Sequence, residues 1–120
     1  MVVYDGKIIP FPDNYFDVVI VSFVLHHIPD QKFSLNELRR VAKRMIVLED
    51  LPSSCWFHPS HIVSRFHYYF FDQHPGMINH MHSVNEWFVL FEEAGWKLIN
   101  VNKIPGSVAY PCEHVRIICE

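Results

Sequence analysis

Histidine is the side chain that titrates nearest neutrality, and this chain is rich in it. His26 and His27 stand together after one apolar run, and Asp50 follows a second. Any of the three could take a proton from a hydroxyl or an amine, the work of a general base. Histidines in clefts also orient ligands without reacting, so no residue is assigned as catalytic. His58, His61, His67, His74, His80 and His82 form a second group, of imidazoles that zinc or nickel could use. Structural zinc sites favour tight paired spacing with cysteine help, and Cys55 is the only thiol near them. The expected metal set is therefore none, with a His-rich metal-binding module kept as an alternative. Cys112 and His114, two apart on a strand, would share a side as a nucleophile pair, but no third group to orient them is evident.

These residues need elements to hold them. The run Phe16–Ser22 is apolar with no polar alternation, the pattern of a strand buried on both faces in a parallel sheet. Ser34 and Glu37 have capping-box spacing, with Phe33 and Leu38 placed as a hydrophobic staple, so a helix is expected to begin there. Leu35, Leu38, Val41 and Ala42 would give it a sheet-facing side. Met45–Leu48 reads as the next strand, ending at Glu49-Asp50. Residues 52–82 are aromatic and histidine-rich without a clean period, with a short helix expected around Ile62–Phe71. Ser83 and Glu86 form a second capping box. The helix it opens turns Val84, Trp87, Phe88, Leu90, Phe91 and Ala94 inward and stops at Gly95. Trp96–Ile104 and His114–Cys119 complete the list as strands joined by a loop with Pro105-Gly106 and Pro111. Strands alternating with amphipathic helices imply an α/β sheet, largely parallel, with an antiparallel edge from the last two strands.

The bulk numbers remove several function classes. Across 120 residues the formal net charge is -3, so no basic excess draws the chain onto phosphate backbones and nucleic acid is not the expected partner. The cluster Arg39, Arg40, Lys43 and Arg44 reads as the solvated face of a helix. Three cysteines, an odd number without zinc-type pairing, suggest a reducing compartment. No charged-then-apolar leader opens the chain, and no apolar run approaches the roughly 18 residues of a membrane span. A cytoplasmic location and no membrane span are expected.

In order along the chain stand Asp5-Gly6, Ile9-Pro10-Phe11-Pro12-Asp13, Phe16-Asp17-Val18-Val19-Ile20, Leu25-His26-His27-Ile28 and Glu37-Leu38-Arg39-Arg40-Val41. That succession resembles the class I methyltransferases that use S-adenosyl-L-methionine (SAM), of the type 11 or ubiquinone-biosynthesis kind. Phe91–Trp96 resembles a helix-to-strand corner near the end of the same fold. The resemblance implies an α/β fold with a partial Rossmann-like methyltransferase sheet, mostly parallel with an antiparallel last strand. It implies one partial domain over 1–120, with an insertion or lid at about 52–82 over a small or apolar acceptor. For the cofactor it implies Asp5 on the adenine amino group, Gly6 beside the ring edge, Ser22 on the methionine end and Phe23 flanking it.

The departures from that family carry their own expectations. Its first strand ends in a glycine-rich loop and its second in an acid for the ribose hydroxyls. The four glycines here, Gly6, Gly76, Gly95 and Gly106, lie far apart, so the N-terminal glycine-rich strand-loop-helix is lacking. The glycine pair before the family's next strand is also missing, with Lys43-Arg44 leading straight into Met45. A truncated methyltransferase is the expectation, binding SAM weakly or not at all alone. Phe16–Ser22 would then be an edge strand, open to a second copy or a completing chain. A non-catalytic fragment that pairs through that edge is the remaining alternative.

Overall fold

Valine, isoleucine and phenylalanine make up most of strand β1 (Phe16–Ser22), and such residues suit a pleated, half-buried surface. The structure, a computed structural model, describes residues 7–51, 81–106 and 113–120. After β1 come a 3-10 turn (Leu25–His27), helix α1 (Gln31–Val41), strand β2 (Ala42–Asp50), helix α2 (Val84–Glu93), and strands β3 (Leu98–Ile104) and β4 (His114–Cys119). The four strands form one sheet in the order β1-β2-β4-β3. β1 and β2 are parallel, while β4 runs antiparallel to both neighbours. The α/β class and the antiparallel last strand agree with the sequence reading. The expected helix at Ile62–Phe71, and all of the insertion except Met81 and His82, lie outside the described residues.

The register sorts side chains into two faces. Val19, Met45, Cys119 and Leu98 align across the sheet, as do Val21, Val47, Ile117 and Val101. These rows join the core with Leu35 and Val41 of α1 and with Trp87 and Phe91 of α2. Full burial of such a side chain contributes about 1.5–3 kcal/mol. The alternate row, Ile20, Ile46 and Ile118, lies on the opposite face. There Ile20 is 70% and Val18 45% exposed. Burial of β1 on both faces is thus corrected. Among the described residues β1 pairs only with β2, the edge position expected for it, and nothing described covers its outer face.

The start of α1 also departs from expectation. Its N-cap is Asp30, whose carboxylate accepts from the Phe33 N–H at 3.0 Å. Ser34 lies inside the helix, its N–H donating to the Asp30 carbonyl, so Ser34 and Glu37 form no capping box. Phe33 is 41% exposed and makes no staple. The physical reason is that Asp30 supplies a cap one turn earlier, while Glu37 is engaged elsewhere. Glu37 bonds Arg40 at 2.8 Å and accepts from the Ile9 N–H at 3.1 Å. Arg40 also donates to the carbonyls of Ile9 and Phe11 and to Asp13. One guanidinium thus ties the loop before β1 to α1. Its hydrogen bond, with that of Ile9, holds the Glu37 carboxyl below its usual range.

At α2 the cap and the stop hold, and Val84, Trp87, Leu90, Phe91 and Ala94 meet the core as expected, whereas Phe88 is half-buried and not part of it. Ser83 and Glu86 make the reciprocal capping box, and Gly95 follows the helix at φ +77. Helix α1 passes directly into β2, because Ala42 is already extended. Trp96 packs beneath α1, its indole N–H donating to the Leu35 carbonyl at 3.1 Å, while the Arg39 guanidinium stands 5.3 Å from the ring.

Candidate functional site at the carboxyl ends of β1 and β2

Parallel pairing puts Ser22 beside Leu48, so two carboxyl ends open at the same place. β2 continues through Glu49 and Asp50, and the antiparallel β4 brings His114 opposite Asp50. β1 turns away sharply. Phe23 has φ +53, a left-handed conformation costly for an aromatic residue, and its N–H donates to the Leu48 carbonyl at 2.8 Å. The turn leaves Ser22 and Phe23 exposed at the strand end.

The group that organises this end is Glu49, which is 0% exposed. Its Oε1 accepts from the N–H groups of Val24 and Leu25 at 3.0 and 2.7 Å. Those donors begin the 3-10 turn, where Val24 provides no side-chain cap, so a carboxylate from the neighbouring strand does the capping. Its Oε2 meets Nδ1 of His26 at 2.5 Å. That hydrogen bond raises the His26 pKa above its ordinary 6.5, against the opposing effect of burial. The His27 ring lies 4.1 Å from that of His26, and its pKa is lowered, first by burial and then by its neighbour's charge.

A second histidine–carboxylate pair lies alongside. Asp50 meets Nδ1 of His114 at 2.7 Å, and the Phe23 ring stands edge-on to His114 with centroids 5.3 Å apart. Gln31 links the site to the start of α2. Its amide donates to the Leu25 carbonyl at 3.0 Å, and its Oε1 meets Nε2 of His82 at 2.6 Å.

Of the residues expected from sequence, Ser22, Phe23, His26, His27 and Asp50 come together here. Asp5 and Gly6 lie outside the described residues, as do Cys112, Cys55 and the histidines from His58 to His80. His114 faces Asp50, an orienting group the sequence reading lacked. Among the described residues no group of three or more potential metal ligands forms. Buried Cys119 is no nucleophile, since burial pushes its thiol up to about 12. Sequence reasoning passed over Glu49 and Gln31. For Glu49 a signal existed, an acid closing an apolar strand; for Gln31 there was none.

The sheet, with an antiparallel strand inside it, is shared in fold with solved SAM-dependent methyltransferases. The chain matches the crystal structure of such a methyltransferase from Aquifex aeolicus with TM-score 0.64 and 21% identity, covering 99% of this chain and 54% of that one. It matches the trans-methyltransferase CalH, solved in complex with SAH, with TM-score 0.66 and 20% identity, over 92% of this chain and 31% of that one. At these identities the match establishes fold. In sequence, residues 1–45 match the family described as "Methyltransferase domain", of type 11. The ubiquinone/menaquinone biosynthesis C-methyltransferase of Burkholderia multivorans is 54% identical over 48 residues, which are 38% of this chain and 20% of that protein. The chain is therefore similar to the class I SAM-dependent methyltransferases, in sequence at its N-terminal third and in fold along nearly all its length. It matches only a fifth of the curated relative's length. Among the described residues no helix is long and apolar enough to cross a membrane.

Proposed function

We propose that this chain forms the acceptor-side part of a SAM-dependent methyltransferase, acting on a small, apolar or ring-bearing acceptor. The observation that supports it most is the parallel β1–β2 pair, at whose open end Ser22 and Phe23, inside the stretch matched to the methyltransferase family, are exposed. Ligands of open α/β sheets sit at such ends.

SAM, when bound, supplies an electrophilic methyl group on a sulfonium. Ser22 and Phe23 fit as one wall of its site, one offering an exposed hydroxyl and the other an aromatic ring. Asp5 and Gly6 would hold the adenine. Glu49 fixes the turn after β1, so the groups around the acceptor keep their positions, which is most of what methyl transfer asks of a protein. Residues 52–82 are the lid in this reading. With no glycine-rich loop in the sequence, the chain alone binds SAM weakly or not at all. The three cysteines, an odd number, support a reducing setting such as the cytoplasm in this reading.

Isothermal titration with S-adenosylhomocysteine tests the reading. The chain alone should show weak or no binding, and micromolar saturation would mean that it, or its dimer, suffices. A chimera preceded by the N-terminal part of the Burkholderia relative should bind saturably; a folded chimera taking up none overturns the assignment.

A second reading is supported by exposed Val18 and Ile20 on the β1 edge: a non-catalytic fragment that pairs with a second copy or a completing chain. Concentration-dependent sedimentation separates the two, since a strictly monomeric folded chain removes self-pairing.

A further inference from the structure

We propose that His26 is the proton acceptor of the transfer step, positioned by Glu49, and that the acceptor reacts only on losing a weakly acidic proton. This inference rests on the methyl-transfer reading above. Glu49 Oε2 lies 2.5 Å from His26 Nδ1, which selects the neutral tautomer with its proton on Nδ1 and its lone pair on Nε2. Nε2 has no partner among the described residues. The side chain keeps 12% of its surface open at the strand end. Glu49 is itself immobilised by two backbone donors, so the imidazole is held on a fixed support.

Charges around the ring favour proton uptake. Glu49, by its hydrogen bond and charge, and Asp50, by its charge, raise the His26 pKa against burial. His27, packed against it, has its own pKa lowered and so stays neutral when His26 becomes cationic. A base of this strength suits a hydroxyl such as a phenol, with pKa about 10. A neutral amine attacks through its lone pair without it. In the step, the acceptor oxygen forms a bond to the methyl carbon while its proton passes to Nε2. SAM, if bound, would supply the methyl group and keep the electron pair of the broken carbon–sulfur bond on its sulfur. The imidazolium is held against Glu49 until Nε2 releases the proton to water.

The test uses 4-nitrophenol, a coloured reporter of ionisation, and nitrogen NMR of the histidines. The intact chain should bind the probe as phenolate at a pH below the probe's own pKa, and His26 should carry its proton on Nδ1. His26→Gln should lower the ratio of phenolate to phenol about ten-fold, the effect of one pKa unit. Glu49→Gln should lower the His26 titration midpoint. Because Glu49 is buried and this variant could fail to fold, His26→Gln and the wild-type tautomer decide without it. No probe uptake, uptake without ionisation, an unchanged signal in His26→Gln, or a proton on Nε2 each overturns the proposal. A folded chimera that binds S-adenosylhomocysteine but ionises no probe sinks the base alone. One that binds none, while the chain still ionises the probe, sinks the methyl-transfer reading instead.

Discussion

The two faces of the sheet are built from similar residues and have opposite fates. On one, the rows through Met45 and Val47 disappear beneath α1 and α2. On the other, Ile20, Ile46 and Ile118 make a row just as apolar, yet Ile20 stays open to solvent. The difference lies in the partners, not in the strands. A β-branched run states that a strand forms; it does not state what covers it. The functional pairs divide the same way, since Glu49 has the parity of Val47 on the covered face and Asp50 that of Leu48 on the open one.

Substitutions can break this comparison. The largest effect is expected on the covered face: Phe91→Ala should cost about 3–5 kcal/mol in denaturant unfolding, as for large core deletions generally. A cost below 1 kcal/mol would mean that the helices pack loosely.

Glu49→Ala comes next. It strands two N–H groups, each worth about 1–3 kcal/mol if left unpaired. The same residue sets a pH dependence. The folded-state pKa of His26 is raised, so its contribution is fully present below about 6.5, the unfolded value. It is lost as pH rises through the higher folded value. Stability measured across that window should fall in the wild type, and Glu49→Gln should flatten the fall.

Gly95→Ala is smaller. A Cβ there meets nothing within 4 Å, so only the left-handed backbone resists, at about 1–2 kcal/mol. Thermal melting would show it, and an unchanged midpoint would mean that the helix end relaxes.

Smallest of all is Ile20→Thr, expected within about 0.5 kcal/mol because the open face gives it little to lose. A core-sized loss would show that another surface covers this face in solution, and sedimentation of the same variant would say whether that surface is a second copy.

What sequence made legible was local. The Ser83–Glu86 box and the Gly95 stop involve neighbours within one turn, so type and spacing suffice. The same logic misplaced the start of α1, because Ser34 and Glu37 have the right spacing but Asp30 caps first and Arg40 draws Glu37 away. The strands were readable from their apolar runs. The Glu49–His26 pair was not, since it joins positions 23 apart that meet only when two parallel strands lie side by side. Ser22 and Phe23 came from family resemblance, and the left-handed turn at Phe23 has no signature in residue type.

The position of β4 has a consequence for how the chain reaches this structure. β4 lies between β2 and β3, although it follows both in sequence. A ribosome therefore releases the two flanking strands before the one that joins them. Until residues 114–119 emerge, β2 and β3 each keep an unsatisfied edge, and closing the sheet then needs a contact such as Met45 with Cys119, separated by most of the chain. Contacts of that separation form late and slowly. The nascent chain would carry the open β2 edge for about half of its synthesis, joined by that of β3 just before β4 is made, and this is the interval in which chaperone protection matters most.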